Sequence, residues 1–380
     1  MSDTGAVVGT RFLGVDLAWG TGSAAGSANE SGVAVIDDCG RVLSAGWTRG
    51  LEETINWITS AAGPGPALLF VDAPLIVVNP AGQRECERQA GQRYGRWRVS
   101  ANSTNTQSPR LAGVALCSEL RAAGWAYSDG TDWPPAAART MCECYPYTTL
   151  VGAPELGYDQ ARPRYKRRPK GMPAAVWRPQ RAAACDELIR RLSSLDATDP
   201  PLLLHTHSVT RELRHEPSPI RDDEYKHRED LIDALICAWT AALWRRHGQA
   251  RCQLLGLPAS PATGPAATII APARPEQREA AHEKPPVTRP GTGVLTGAPC
   301  LLRADDYAGI WRDKPVAGLL GRSPVCVTPA ADVAGAPEVP SFTALMSVTP
   351  QRGPVPVTRA RRLPGTRSPS TGPCAASAGQ

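Results

Sequence analysis

Two short stretches decide the fold, RFLGVDLA at residues 11–18 and ALLFVD at residues 67–72. Each is an apolar run that carries an aspartate at or near its end. Runs of this length are typical of strands, and a continuous one is typical of a strand buried on both faces of a parallel sheet. Residues 32–37 and 42–47 are two more strand-like runs, and the DCGR between 37 and 42 indicates a hairpin.

After these runs, segments with apolar residues at helical spacing alternate with further strand-like runs. Strands and helices in this order predict an α/β architecture, with a mixed sheet of three antiparallel strands and then parallel ones, flanked by helices. The predicted helices cover residues 51–62, 109–124, 177–195 and 224–247, and two further predicted strands cover 139–145 and 267–271.

The C-terminal part of the chain has a different composition. Of 37 prolines and 35 glycines in 380 residues, 15 and 11 fall in residues 276–380, which show no sustained helical or strand period. Such a segment cannot bury enough apolar surface to offset the entropy of ordering. We therefore expect one folded domain over residues 11–275, a flexible N-terminus over 1–10 and a disordered tail over 276–380.

Hydropathy, charge and cysteine content limit the cellular compartment and the kinds of partner that we expect. No run reaches the roughly 18–20 apolar residues of a membrane span, and residues 1–10 lack the features of a secretory signal. The 11 cysteines have no disulfide-framework spacing, so we expect a reduced, cytoplasmic protein without a membrane partner. The net charge of +6 permits a polyanionic partner without requiring one.

Four aspartates lie where the predicted elements can bring them together. Asp16 is near the end of the first strand and Asp72 ends the buried strand, while Asp230 and Asp233 share one face of the last helix. Alone, any of them would more often be a turn residue, a cap or a surface charge. Together they are costly to bury unless a cation binds them. Mg²⁺ or Mn²⁺ is the expected cofactor, because both prefer oxygen ligands and a pair of such ions stabilises displacement at phosphorus.

Several ordered motifs resemble domain-of-unknown-function family 429 across roughly residues 11–275. That family is regarded as a predicted nuclease of the RNase H-like fold, so the resemblance implies this fold and hydrolysis of nucleic-acid phosphodiester bonds. The motifs are FLGVDLA at 12–18, VDAPL at 71–75, GQRECER at 82–88, CECYP at 142–146, YK at 165–166, GM at 171–172 and EDLIDA at 229–234.

The order of the acidic residues along the chain also resembles that in the Holliday-junction resolvases of the same superfamily. By that resemblance Asp16 and Asp72 are strand-borne metal ligands, Asp233 is the helix-borne ligand, and Asp230 is a fourth ligand or supports one. The family motifs imply two further catalytic residues, Glu143 and Lys166, and Lys166 is the one expected to reach the scissile phosphate.

The chain also departs from a plain RNase H. No glutamate is clearly assigned on the first helix, because Glu52 and Glu53 come too early, and long insertions separate Asp72 from Glu143 and Glu143 from Asp230. Whether the substrate is DNA, RNA, a hybrid or a branched junction therefore stays open, as does the oligomeric state.

Basic residues offer candidate substrate contacts. Residues 162–170 carry six Lys and Arg residues, and such side chains supply most non-specific affinity for nucleic acid. The run is either a phosphate-binding segment, through Lys166, Arg167 and Arg168 above all, or a solvated loop. Arg84 and Arg88 are either substrate contacts or structural partners of neighbouring glutamates.

Other interpretations remain beside the nuclease. Cys142 and Cys144 with His205 and His207 could form a zinc site, but neither pair has the usual spacing, and packed free thiols are expected instead. Trp19 is the one tryptophan placed to stack on a base. Two other function classes compete with the nuclease. One is a non-catalytic RNase H-like module that binds nucleic acid or protein. The other is an actin-like sugar kinase or ATPase, which would need a duplicated domain for which the expected tail over residues 276–380 leaves no room.

Overall fold

The first strand of the chain lies inside a six-stranded mixed sheet. The computed structural model describes residues 9–18, 29–135, 137–257 and 266–278. The strands are β1 (Arg11–Asp16), β2 (Glu30–Ile36), β3 (Val42–Arg49), β4 (Ala67–Val71), β5 (Ala126–Tyr127) and β6 (Arg139–Glu143). Their order in the sheet is β3-β2-β1-β4-β6-β5. The pairs β1–β2 and β2–β3 are antiparallel and the other three are parallel, so the predicted α/β fold class is confirmed.

Seven α-helices, five short 3₁₀ helices and a separate antiparallel hairpin are the other elements of the described part of the chain. The hairpin consists of β7 (Cys252–Leu255) and β8 (Ile269–Pro272). The helices are α1 (Gly50–Ala62), α2 (Glu85–Tyr94), α3 (Ala112–Ala122), α4 (Pro146–Gly152), α5 (Ala174–Ser193), α6 (Ser208–His215) and α7 (Asp222–His247).

Two apolar layers cover the two faces of the sheet. Phe12 and Phe70 face the layer that contains Ile232 and Leu235 of α7, whereas Leu13 and Leu69 alternate to the opposite face, where α1 and α3 pack. The long helix α7 therefore lies across the centre of the sheet, and its buried face includes the Asp230–Asp233 turn.

Two glycines let α7 approach the strands closely. A Cβ atom on Gly14 would collide with the carbonyl oxygen of Ala234, and one on Gly32 would collide with that of Asp230. The helix backbone thus rests directly on β1 and β2. This contact fixes Asp230 and Asp233 next to the end of β1.

Several short elements were not predicted from the sequence. The helices α2, α4 and α6 have 7 to 10 residues, too few to establish a clear apolar period, and α2 is strongly polar. The predicted strand at 267–271 exists nearly as expected but belongs to the separate hairpin.

Some predictions fall outside the described residues. They concern most of residues 1–10, most of the tail over 276–380, and Trp19. Among the described helices, none is long and apolar enough to cross a membrane.

Candidate metal centre

Three carboxylates meet at the C-terminal edge of the parallel strands. A ligand oxygen from each of Asp16, Asp72 and Asp233 lies within 4.8 Å of the others. Register explains the first two, because β1 and β4 are parallel neighbours with Val15 opposite Val71, so the next residue of each strand emerges at the same edge. The third comes from α7, which crosses β1 at Gly14.

Neighbouring side chains hold Asp233 in place. It is fully buried, and Tyr165 donates its hydroxyl to Oδ1 at 2.6 Å. Lys166 forms an ion pair with Oδ2. The Tyr165–Lys166 dipeptide therefore contacts both oxygens of the helix-borne carboxylate and orients it. Sequence reasoning assigned only the lysine of this pair, although both residues stand in the same motif.

The electrostatics of the centre show an excess of negative charge. Burial raises the pKa of Asp72 to about 7, the nearby Asp16 carboxylate adds to the rise, and Lys166 opposes it. Burial works against the charge of Lys166, but Asp16 and Asp72 outweigh it and raise the pKa of this lysine. One lysine thus leaves the carboxylates only partly neutralised, which is the electrostatic setting in which a divalent cation binds.

Asp230 lies one helical turn before Asp233 but has a partner of its own. Lys226 forms an ion pair with it and contacts Glu229 at 3.1 Å. Burial raises the pKa of Asp230 to about 8, Asp16 adds to the rise and Lys226 opposes it. Asp230 lines the same cleft as Asp16 and Asp72 without joining the group of three. The spacing of Lys226 and Asp230, i and i+4, could have predicted this pair.

Glu143 does not join the group of three aspartates, although it lines a small pocket together with Asp72. It ends β6 in register with Val71 rather than Asp72, so its side chain leaves the sheet on the opposite face. There it accepts two hydrogen bonds from Arg84, at 2.6 and 2.8 Å, and one from the Leu75 amide at 3.0 Å. Burial raises its pKa, which Arg84 counteracts. The structure therefore places Glu143 in a buried ion pair.

The two arginines predicted near Asp72 differ in their surroundings. Arg84 is buried between Glu87 and Glu143 and binds both, so its guanidinium is committed to carboxylates. Arg88 is exposed and pairs with Glu85. Neither arginine lines the cleft that contains Asp16 and Asp72.

A cleft of about 870 Å³ is lined by Asp16 and Asp72 of the group of three, whereas Asp233 is fully buried. The walls of the cleft include Tyr145, Lys166 and Arg167, and the Arg167 guanidinium donates to Asn102 at 3.3 Å. Arg168 lies in an adjoining pocket. Of the predicted basic run, Lys166 thus reaches the carboxylates directly, while its neighbours line the approach.

The structure does not assemble the zinc site considered from the sequence. Within the described ranges, Asp16, Asp72 and Asp233 form the only group of three or more His, Cys, Asp or Glu side chains close enough to hold an ion. Cys142 and Cys144 are buried free thiols.

Comparison with known protein families identifies the family of the chain. A family model described as a protein of unknown function (DUF429) matches residues 14–258. The chain belongs to the DUF429 family. The DUF429 match contains all three clustered aspartates with Tyr165 and Lys166. No curated protein and no solved structure matches the chain.

Proposed function

We propose that the protein is an RNase H-like, metal-dependent nuclease that hydrolyses phosphodiester bonds in nucleic acid. The observation that carries the proposal is the convergence of ligand oxygens of Asp16, Asp72 and Asp233 within 4.8 Å of one another, with Asp16 and Asp72 lining an open cleft. Their donor set is all oxygen, and Lys166 leaves their charge only partly neutralised. The residues present therefore fit Mg²⁺ or Mn²⁺.

The mechanism assigns each group of the centre a role. Bound at the aspartates, Mg²⁺ or Mn²⁺ would supply an activated water and stabilise the charge on the phosphate oxygens, leaving 3′-hydroxyl and 5′-phosphate ends. Asp230, which lines the same cleft as Asp16 and Asp72, would be a ligand for the second ion of a two-ion mechanism.

Lys166 and Tyr165 complete the proposed centre. The Lys166 ammonium lies against Asp233 and 5.3 Å from the Tyr147 ring centroid, at the wall of the cleft, where it can donate to a phosphate oxygen. The Tyr165 hydroxyl holds one oxygen of Asp233, so the orientation of that carboxylate is set before a substrate enters.

A panel of labelled substrates tests the proposal. Single-stranded and duplex DNA, single-stranded RNA, an RNA–DNA hybrid and a four-way junction are incubated with Mn²⁺, with EDTA as the metal-free arm. We expect cleavage of at least one substrate, abolished by EDTA and by Asp16→Asn. Asp196→Asn is the matched control, because it removes the same charge at an exposed position outside the cleft. Cleavage that survives in Asp16→Asn would refute the proposal.

One observation favours a second candidate, the non-catalytic nucleic-acid or protein-binding module. Asp233 and Asp230 already pair with Lys166 and Lys226, so lysines could balance the acidic charge in place of metal. Calorimetric titration with Mg²⁺ and with Mn²⁺ separates the two candidates. Binding that depends on Asp16 and Asp72 supports the nuclease, and its absence supports the binding module.

A further inference from the structure

Five arginines line a pocket of about 290 Å³ beside the cleft that contains Asp16 and Asp72. They come from two separate parts of the chain, one following α2 and the other preceding α5. The five are Arg98, Arg162, Arg164, Arg167 and Arg168. Only the second group belongs to the basic run that the sequence shows, and the structure adds Arg98 to it.

The arginines of this pocket lack acidic partners. In the part of the chain that the structure describes, none of the five forms an ion pair with a carboxylate, whereas Arg84, Arg178 and Arg190 all do. The hydrogen bonds their guanidinium groups make go to neutral oxygens, as with Arg162 and the Arg98 carbonyl at 2.8 Å. Five like charges gathered around one pocket repel one another, and an anion in the pocket removes that cost.

The pocket is held in shape before any ligand arrives. Arg98 has φ +64, a left-handed conformation that costs free energy for any residue with a Cβ atom. The Arg162 amide donates to the Trp97 carbonyl at 3.0 Å, and the Arg162 guanidinium lies 4.1 Å over the Tyr147 ring. The two segments are therefore tied together at the pocket, with Arg98 in a strained position.

The pocket also continues into the cleft that contains Asp16 and Asp72. Arg162 and Arg167 line both cavities. Lys166, next to Arg167 in the chain, pairs with Asp233. Cationic groups thus extend from the three aspartates outward along one wall, and guanidinium groups bind phosphate oxygens in a bidentate manner.

We propose that the arginine pocket binds the phosphodiester backbone of a nucleic-acid strand beyond the phosphate that lies at Asp16 and Asp72. This inference rests on the proposed nuclease function, because that function places the strand in the cleft. The backbone leaving the carboxylates enters the pocket, where its phosphates replace the missing acidic partners. The pocket then sets the register of the strand rather than its sequence.

Binding of fluorescent single-stranded oligonucleotides tests the pocket. DNA and RNA of about 15 nucleotides are titrated in EDTA between about 50 and 200 mM salt, with Arg164→Gln/Arg168→Gln against the wild type. Both side chains are exposed and make no hydrogen bond among the described residues, so the fold should tolerate the change. We expect affinity to fall about 10-fold or more and the slope of log K against log salt to decrease by about 1.4, for two lost phosphate contacts.

The matched control is Arg211→Gln/Arg214→Gln. It removes the same net charge from exposed positions on α6 that line neither cavity, and we expect it to leave the slope nearly unchanged. Equal losses in the two double variants would show a response to net charge alone and overturn the pocket. No loss in Arg164→Gln/Arg168→Gln would overturn it as well.

Arg98→Gly separates a binding role from a structural one. Glycine adopts positive φ freely, so this variant should unfold at an equal or higher temperature than the wild type and still bind the oligonucleotide less tightly. Wild-type affinity in Arg98→Gly would exclude Arg98 from the site and refute the preorganised pocket.

The outcomes also separate this inference from the nuclease. If the wild type cleaves nothing but arginine-dependent binding persists in EDTA, the nuclease fails and the pocket stands. If Asp16→Asn abolishes cleavage while the arginine variants bind normally, the pocket alone fails. Pyrophosphate serves as the competitor, and tight binding of pyrophosphate without binding of either oligonucleotide would assign the pocket to a free phosphate compound and refute the backbone.

Discussion

Replacement of Arg84 by methionine tests whether the Arg84–Glu143 pair is structural. The side chains of Arg84, Glu87 and Glu143 are each 3% exposed, and Arg84 donates to both carboxylates and to the Ile76 carbonyl. Methionine fills much of the same volume but leaves both carboxylates buried without a cation. Removal of one partner of a buried ion pair costs about 3–5 kcal/mol.

Urea unfolding followed by tryptophan fluorescence measures this cost. The extrapolated free energy of unfolding should fall by about 3–5 kcal/mol in Arg84→Met. Arg88→Met is the control, because the Arg88–Glu85 pair is 48% and 43% exposed, and exposed pairs contribute about 0–1 kcal/mol.

The opposite pattern would refute the structural assignment. An Arg84→Met protein with nearly wild-type unfolding and a large loss of nucleic-acid binding would make Arg84 a substrate contact, as one of the two sequence interpretations has it. Similar unfolding losses in Arg84→Met and Arg88→Met would also contradict the reasoning from burial.

Three further predictions concern the carboxylates. The folded-state pKa of Asp72 is raised to about 7, so the folded protein retains a proton that the unfolded chain releases near pH 4. Stability in EDTA, measured by thermal unfolding, should therefore fall as the pH rises toward 7, and it should fall less in Asp72→Asn. An identical pH profile in the two proteins would refute the assignment of the raised pKa to Asp72. Lys166→Gln frees one oxygen of Asp233 and should tighten Mn²⁺ binding in calorimetry while slowing cleavage; weaker Mn²⁺ binding would contradict the competition between lysine and metal. Tyr165→Phe should cost about 1.5–3 kcal/mol in urea unfolding, because the lost hydrogen bond is to a charged group, and should reduce the cleavage rate more than Mn²⁺ affinity. Unchanged cleavage would show that Asp233 is oriented without the hydroxyl.

The sequence was sufficient to predict the α/β class and the antiparallel-then-parallel character of the sheet, but not its edge strand β5. The continuous apolar run at 67–72 is typical of a buried strand, and the last helix spans 26 residues, of which residues 228–244 are all buried. Register was the part that could not be predicted. Glu143 follows the strand pattern as well as Asp72 does, and only the pairing of Glu143 with Val71 shows that its side chain leaves on the other face.

Contacts between distant segments explain what else was missed. Arg98 is far in the chain from the 162–168 segment, and the two are joined by hydrogen bonds from Arg162 to the Trp97 and Arg98 carbonyls. Likewise, nothing local to Tyr165 indicates that its hydroxyl meets Asp233 across 68 positions of the chain. Such long-range contacts leave no periodic signal in the sequence.

The dependence of cleavage rate on Mn²⁺ concentration, in wild type and Asp72→Asn, tests the proposed centre most directly. A nuclease whose metal is held by Asp16, Asp72 and Asp233 should show saturable, Mn²⁺-dependent cleavage in the wild type and a loss of at least about 100-fold in Asp72→Asn, as expected when a group acting in the transition state is removed. The same rate and the same Mn²⁺ dependence in both proteins would contradict it.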